Sequence, residues 1–485
     1  GAVIIISIAL TYVELGSMFP ESGGMSRYAQ YSHGPLLGFI AAWANWISLV
    51  TLVPMEAVAA VQYMSSWPWS WANWTKNFIK NGDITFEGIG VVFISMLIFT
   101  MINFWSVKIM THFTNLISIF KILLPTLTIV TLICSGFHEH NFGTNIHEFM
   151  PYGSRSIFEA TSVSGIIMSY DAFQTIINMG GELKNPRKNI VRGVLISMLI
   201  TAAIYIMLQV TFIGAVEPSM LAKVGWHGID FTSPFADLAI LMGINWLVIL
   251  LYLDAFVSPF GTGVAFVATA SRALAAMTHT RHLPKWLGRI NQKYMIPRYA
   301  MATDLILAVI LVSLFRNWNL LATVITASTL IAYLTGPVTV MTLRKIRPDL
   351  ARPFKPRYMP WLAPIAFVLT SLAIYWSMWP TTIQVILVIA LGLPIYFYYE
   401  IRYQHSDLKK QLHNCWWMIG YLIFMSFMSY IGSNGFGGQN WIKYPFDFVV
   451  IIVVSLLFYY WGVKSGRDQL DPYAEHIVQN KNKQK

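Results

Sequence analysis

The chain has 485 residues, 56% of them hydrophobic and only 11% charged, with a mean hydropathy of +0.55. A water-soluble globular chain carries about 25% charged residues, so this composition excludes an ordinary soluble domain and places the protein in a lipid bilayer. The net charge of +11 does not mark a nucleic-acid binder, because the basic residues fall in short loops between apolar runs. Cys134 and Cys415 are the only cysteines, which excludes a disulfide framework and a cysteine metal site.

Apolar runs of about 20 residues, the length that crosses a bilayer, recur near 1–18, 35–62, 87–106, 112–135, 158–180, 190–215, 234–275, 300–315, 319–341, 360–378, 382–399, 414–432 and 446–463. They predict thirteen spans in one membrane domain over 1–465, followed by a tail over 466–485. The overlong 234–275 run is expected to span with its middle and to continue as helix beyond the membrane. Four Trp residues at 67, 69, 71 and 74 read as an interfacial aromatic anchor.

Lys184, Arg187, Lys188 and Arg192 share one loop. Every second loop after it is basic again: Arg272 to Arg298, Arg344 to Arg357, then Arg402, Lys409 and Lys410. These loops and the C-terminus are expected to be cytoplasmic, which puts residue 1 outside. A chain that starts there without Met or flanking charge suggests a first helix that precedes residue 1.

The stretch 164–193 organises the reading. An apolar run is interrupted by Asp171, and Gly180-Gly181-Glu182 then leads into a cationic turn. A charge at the bilayer centre costs about 2.5–3.5 kcal/mol on insertion scales, so it faces protein or water. The pattern predicts a discontinuous helix lining a substrate site. For Asp171 itself three roles stay open: N-cap of the second half-helix, substrate or proton group, or member of a remote ion pair.

Four stretches carry a resemblance. They are Tyr12 to Tyr28 (Tyr-Val-Glu-Leu-Gly-Ser-Met-Phe-Pro-Glu-Ser-Gly-Gly-Met-Ser-Arg-Tyr); Tyr170, Phe173, Glu182 and Asn185-Pro186; Ser271 to Met277 with Leu283-Pro284; and Leu343-Arg344 with Arg352-Pro353-Phe354. In this order and spacing the chain resembles the amino acid–polyamine–organocation (APC) permeases. Within them it resembles the bacterial aspartate–proton symporter type, whose two extra C-terminal helices correspond to 414–432 and 446–463. The resemblance implies an all-α integral membrane protein with a LeuT-type five-plus-five inverted repeat and about four accessory C-terminal helices. It implies that the segment Ser169, Tyr170, Asp171, Ala172 and Phe173 holds the substrate, its carbonyls receiving an ammonium and Phe173 closing over it, with plain packing the alternative for Phe173. A half-helix C-terminus does carry spare carbonyls and partial negative charge. The family's glycine-rich first helix, whose amides bind the substrate carboxylate, is not in this sequence, so the chain as written is expected to be transport-inactive.

Three buried charges are candidates for proton coupling. Lys121 stands alone in the fifth-helix run, where some family members place a lysine in the role of a sodium ion; snorkelling is its plain alternative. Glu56 follows Val53-Pro54-Met55, and Asp254 lies in Leu251 to Ser258; either can also be a structural charge. Glu14 and Glu182 read as gate or structural partners of loop arginines such as Arg27 and Arg272.

The expected function is proton-coupled amino acid symport by alternating access across a bacterial-type inner membrane, with aspartate or glutamate as candidate substrates. No cofactor or metal is implied beyond the proton, and the partners are a small amino acid and the bilayer, not nucleic acid. An amino acid–metabolite antiporter of the same fold is the rival. An intramembrane enzyme is excluded by the lack of His-Glu-x-x-His or of a local partner for Asp171 or Asp254.

Overall fold

The computed structural model describes residues 1–21, 23–105, 107–178, 180–278, 283–291, 293–294, 296–403, 408–470 and 474–475. Arg281 and most of the tail past 470 lie outside the described residues, as does the Glu182 side chain.

In lipid every backbone N–H and C=O must be satisfied within the protein, and helices do this locally. The chain accordingly folds as helices throughout, its one sheet among the described residues being the hairpin β1 Ile79–Lys80 and β2 Asp83–Ile84. The first part runs α1 Ala2–Met18, α2 Met25–His33, α3 Pro35–Ser65, α4 Phe86–Trp105 and α5 Val107–Ser135. A short α6 Ile146–Phe149 precedes the second part: α7 Gly153–Val163, α8 Phe173–Asn178, α9 Pro186–Ala215, α10 Pro218–Val224, α11 Pro234–Leu241, α12 Asn245–Met277, α13 Arg298–Leu314, α14 Trp318–Tyr333 and α15 Thr335–Ile346. The last helices are α16 Met359–Tyr375, α17 Thr381–Ala390, α18 Gly392–Tyr403, α19 Leu408–Ile431 and α20 Phe446–Lys464. Prolines open α3, α9, α10 and α11, where a missing N–H costs nothing.

Among the described residues, eight helical stretches are long and apolar enough to cross a bilayer. The longest helix of each part, α3 with 31 residues and α12 with 33, pack on one another. Short helices precede each: α2 before α3, and α10 and α11 before α12. The same order of elements thus recurs in the two parts, as an internal repeat requires. α3 and the α14–α15 pair are almost wholly buried at the centre, whereas α9 lies at the edge with most of its surface exposed.

Three expected spans are interrupted, the 382–399 run among them at Leu391, where α17 gives way to α18. The 234–275 run is not one helix: it breaks at Gly243, whose φ of +71° turns α11 away from α12. The 319–341 run divides at Leu334, just ahead of Gly336-Pro337.

Candidate substrate and coupling site

The 158–180 run is discontinuous. α7 stops at Val163, Gly165 takes a φ of +75°, a single tight turn covers Met168–Tyr170, and α8 starts at Phe173. Among the described residues, no backbone hydrogen bond outside the regular helices ends on the carbonyl of Ser169 or Tyr170. Such carbonyls are the ones a substrate ammonium can use. Tyr170, Asp171 and Phe173 are buried, Ser169 is partly so, and Ala172 is exposed.

Asp171 does not cap α8. Its Oδ1 accepts from the Tyr333 hydroxyl, and its Oδ2 accepts from Thr329 Oγ1 at 3.1 Å and Gln174 Nε2 at 3.2 Å. All three donors are neutral side chains, so the cap and ion-pair readings both give way to a buried carboxylate held by hydroxyls. Phe173 packs between Tyr333 and Tyr12, with ring centroids 5.2 and 6.5 Å away. Tyr12 and Tyr333 are 5.7 Å apart, and the Tyr12 hydroxyl donates to the Ala332 carbonyl at 3.1 Å. The result is an aromatic box of α1, α8 and α14 around one carboxylate. Tyr12, Thr329 and Tyr333 were not among the expected site residues, because hydroxyl-bearing residues inside apolar runs break no pattern.

The three charges expected to couple protons converge from different helices. Lys121 on α5 donates to Thr262 Oγ1 on α12, and Thr262 in turn donates to the Ser258 carbonyl at 3.1 Å. Glu56 of α3 and Asp254 of α12 both lie within electrostatic reach of the Lys121 ammonium. The lysine therefore points inward, and snorkelling is not its conformation. A groove of about 720 Å³ between α5 and α9 runs past Lys121, Arg192 and Tyr205. Its lining does not include residues 169–173, though Tyr205 stacks edge-on against Tyr170 at 5.4 Å.

The gate pairings differ from expectation. Glu14, fully buried near the end of α1, takes a two-pronged contact from Arg344 of α15, with Nε–Oε1 at 2.8 Å and Nη2–Oε2 at 2.5 Å. Arg352 Nε lies 3.6 Å from the same carboxylate. Arg27 pairs with Glu21 at 3.3 Å instead, and Arg272 is exposed with no ion pair among the described residues. One guanidinium fork, from Arg344, ties the end of α1 to α15, because its planar donors match the carboxylate oxygens, while Arg352 gives its Nη groups to backbone carbonyls. Next to them Gly180 touches the backbone of Pro20 and Glu21, so tightly that an added Cβ would sit 3.2 Å from Glu21 N.

A bundle of apolar helices with one broken around a buried carboxylate, and with a charged closure at one end, defines a multi-pass membrane transporter. The chain belongs to the amino acid permease family, whose profile matches residues 1–389. It is 49% identical over 466 residues to the glutamate/serine transporter AimA of Bacillus subtilis, covering 96% of this chain and 86% of that protein. To the aspartate-proton symporter of the same organism it is 33% identical over 471 residues, covering 96% and 88%. The branched-chain amino acid permease BcaP of B. subtilis is 24% identical over 426 residues, covering 84% and 86%. These relatives are transporters, and the chain is a transporter of amino acids, not an enzyme. Its fold is the family's LeuT-type bundle.

Proposed function

We propose that the chain carries a small polar or acidic amino acid together with a proton, by alternating access around the α7–α8 break. The observation that carries the reading is the meeting of Lys121, Glu56 and Asp254. One ammonium placed between two carboxylates leaves the set one positive charge short, and a proton supplies it. Glutamate, serine and aspartate, named for the two nearer relatives reported above, are the substrates to try first.

In this reading the free carbonyls at Ser169 and Tyr170, with Asp171 behind them, take the substrate ammonium. Phe173, Tyr12 and Tyr333 enclose the rest. The Glu14–Arg344 fork closes the cytoplasmic side while the site faces outward, and its opening releases substrate inward. The basic face is then the cytoplasmic one of the cell membrane, and the C-terminus lies on it.

Radiolabelled uptake into proteoliposomes of the full-length protein tests this, with and without an inward proton gradient, for wild type and Lys121→Ala. Accumulation driven by the gradient and lost in the variant is expected. Uptake that ignores the gradient, requires internal amino acid and survives the substitution would make the protein an exchanger.

A further inference from the structure

A second cavity lies between α3, α5, α11 and α12 on the face opposite the basic one, with a volume of about 150 Å³. A water occupies about 30 Å³ of liquid, so this space holds about five waters or one short organic group. Tyr63, Thr128, Ser233, Tyr252, Asp254 and Ala255 contribute to its wall. It is remote from the helix break: no residue of 169–173 lines it.

Its polar groups are mostly spoken for. Thr128 donates to the Leu124 carbonyl at 2.8 Å, Tyr252 to the Ser66 carbonyl at 3.1 Å, and the Ser66 and Ser233 hydroxyls share a bond of 2.6 Å. The Tyr63 hydroxyl and the Asp254 carboxylate are the exceptions among the described residues. Neither oxygen of the Asp254 carboxylate has a hydrogen-bond partner among the described residues: Oδ1 is sealed inside the protein, which leaves Oδ2 as the oxygen toward the space, and the Lys121 ammonium donates to Thr262. A buried carboxylate without a donor is costly, and a ligand N–H would offset that cost. A second carboxylate, Asp237, acts electrostatically on the same two tyrosines as they line the space, so both acidic groups bias it toward cations. The Trp69 ring meets Tyr252 edge-on at 5.7 Å and extends the aromatic wall. Carboxylate plus aromatic faces is the environment that selects an organic ammonium over water.

We propose that this cavity is an outer subsite for a primary ammonium group, with the Asp254 carboxylate, through Oδ2, as its acceptor. The group is the α-ammonium of an amino acid on its way to the helix break, or that of a free monoamine acting as an inhibitor. The inference rests on amino acid transport, which the family shows, and not on proton coupling.

The test is gradient-free counterflow of labelled serine in right-side-out vesicles, so that a failure of proton coupling leaves the readout intact. Ethylammonium, which has no carboxylate, is added outside to the wild-type chain, Asp254→Asn and Ala255→Leu; the last fills the space and leaves the carboxylate. Expected is at least a threefold inhibition of wild type and less than 1.3-fold in each variant, both ratios taken within the variant. If serine KM also rises several-fold in Asp254→Asn, the substrate itself uses the subsite; if KM holds, free monoamines do. Equal inhibition of all three proteins places the amine at the central site and overturns the proposal, as does an uninhibited wild type. Should one variant fail to fold, the other still decides between these results.

Discussion

At the scale of single residues, Asp171 is the most consequential side chain. Its carboxylate meets three neutral donors and no cation, so its charge is left for whatever enters the site. Asp171→Asn keeps the size and removes that charge. Hydrogen bonds to charged groups contribute about 1.5–3 kcal/mol, so uptake at low substrate should fall by about 10- to 100-fold while the melting temperature in detergent changes little. Tyr333→Phe removes one donor and should act in the same direction by a smaller factor. Unchanged uptake in both variants would leave Asp171 a structural group. The carboxylate was legible in the sequence because it breaks an apolar run, whereas Tyr333 and Thr329 were not: a hydroxyl inside a membrane helix disturbs neither hydropathy nor period.

At the scale of helices, the bundle depends on two close approaches of α1 to α15. At the first, Gly336 faces the Tyr12 ring, where an added Cβ would lie 2.4 Å from a ring carbon. Gly336→Ala must push that ring toward Tyr333, and overpacking of this kind costs about 1–3 kcal/mol. A lowered melting temperature together with a raised KM is the expected outcome, since the ring belongs to the aromatic box. The second approach is the Glu14–Arg344 fork. Removing one partner of a buried pair costs about 3–5 kcal/mol, so Arg344→Ala should destabilise the protein, and Glu14→Gln, which loses only the charge, should do so less. Both should raise the reactivity of a cysteine placed behind the fork toward a reagent added on the basic face; unaltered reactivity would make the fork a mere structural tie. Glu14 was legible as a buried acid near a helix end, but its partner was not. The two residues stand 330 positions apart, and only the packing of α1 on α15 decides between Arg344 and the nearer Arg27. The break at Gly243 was hidden for the opposite reason: the apolar run continues across it, and one glycine is a weak signal against 42 residues of hydropathy.

At the scale of the whole molecule, one histidine joins the last helix to the transport bundle by a hydrogen bond, beside the packing of the other C-terminal helices on it. His33 ends α2 on the basic face, 1% exposed, with Nε2 donating to the Gly462 carbonyl of α20 at 2.8 Å and Nδ1 2.7 Å from the Ser32 hydroxyl. The carbonyl has only lone pairs, so Nε2 carries the hydrogen and the neutral ring is satisfied on both sides. Ser32 Oγ also reaches Thr339 of α15 at 3.1 Å, the Asn414 amide of α19 donates to the His33 carbonyl, and the Arg467 N–H donates to the Ser32 carbonyl. Four segments therefore converge on two residues, and none of this shows in the sequence, where Ser32-His33-Gly34 reads as a simple loop. The ring's partners are a hydroxyl and a carbonyl, with no carboxylate to offset a charge. Burial lowers its pKa from 6.5 to about 4. Between those values the unfolded chain binds a proton that the folded one refuses, so stability falls as pH drops from 6.5 toward 4 and is unaffected above 6.5. The full loss across that window is about 3 kcal/mol. Melting temperatures of wild type and His33→Gln, taken in detergent from pH 7.5 to 4.5, should differ in slope below 6.5, the wild type falling more steeply. Parallel curves would mean that His33 takes up its proton in the folded state as readily as in the unfolded one.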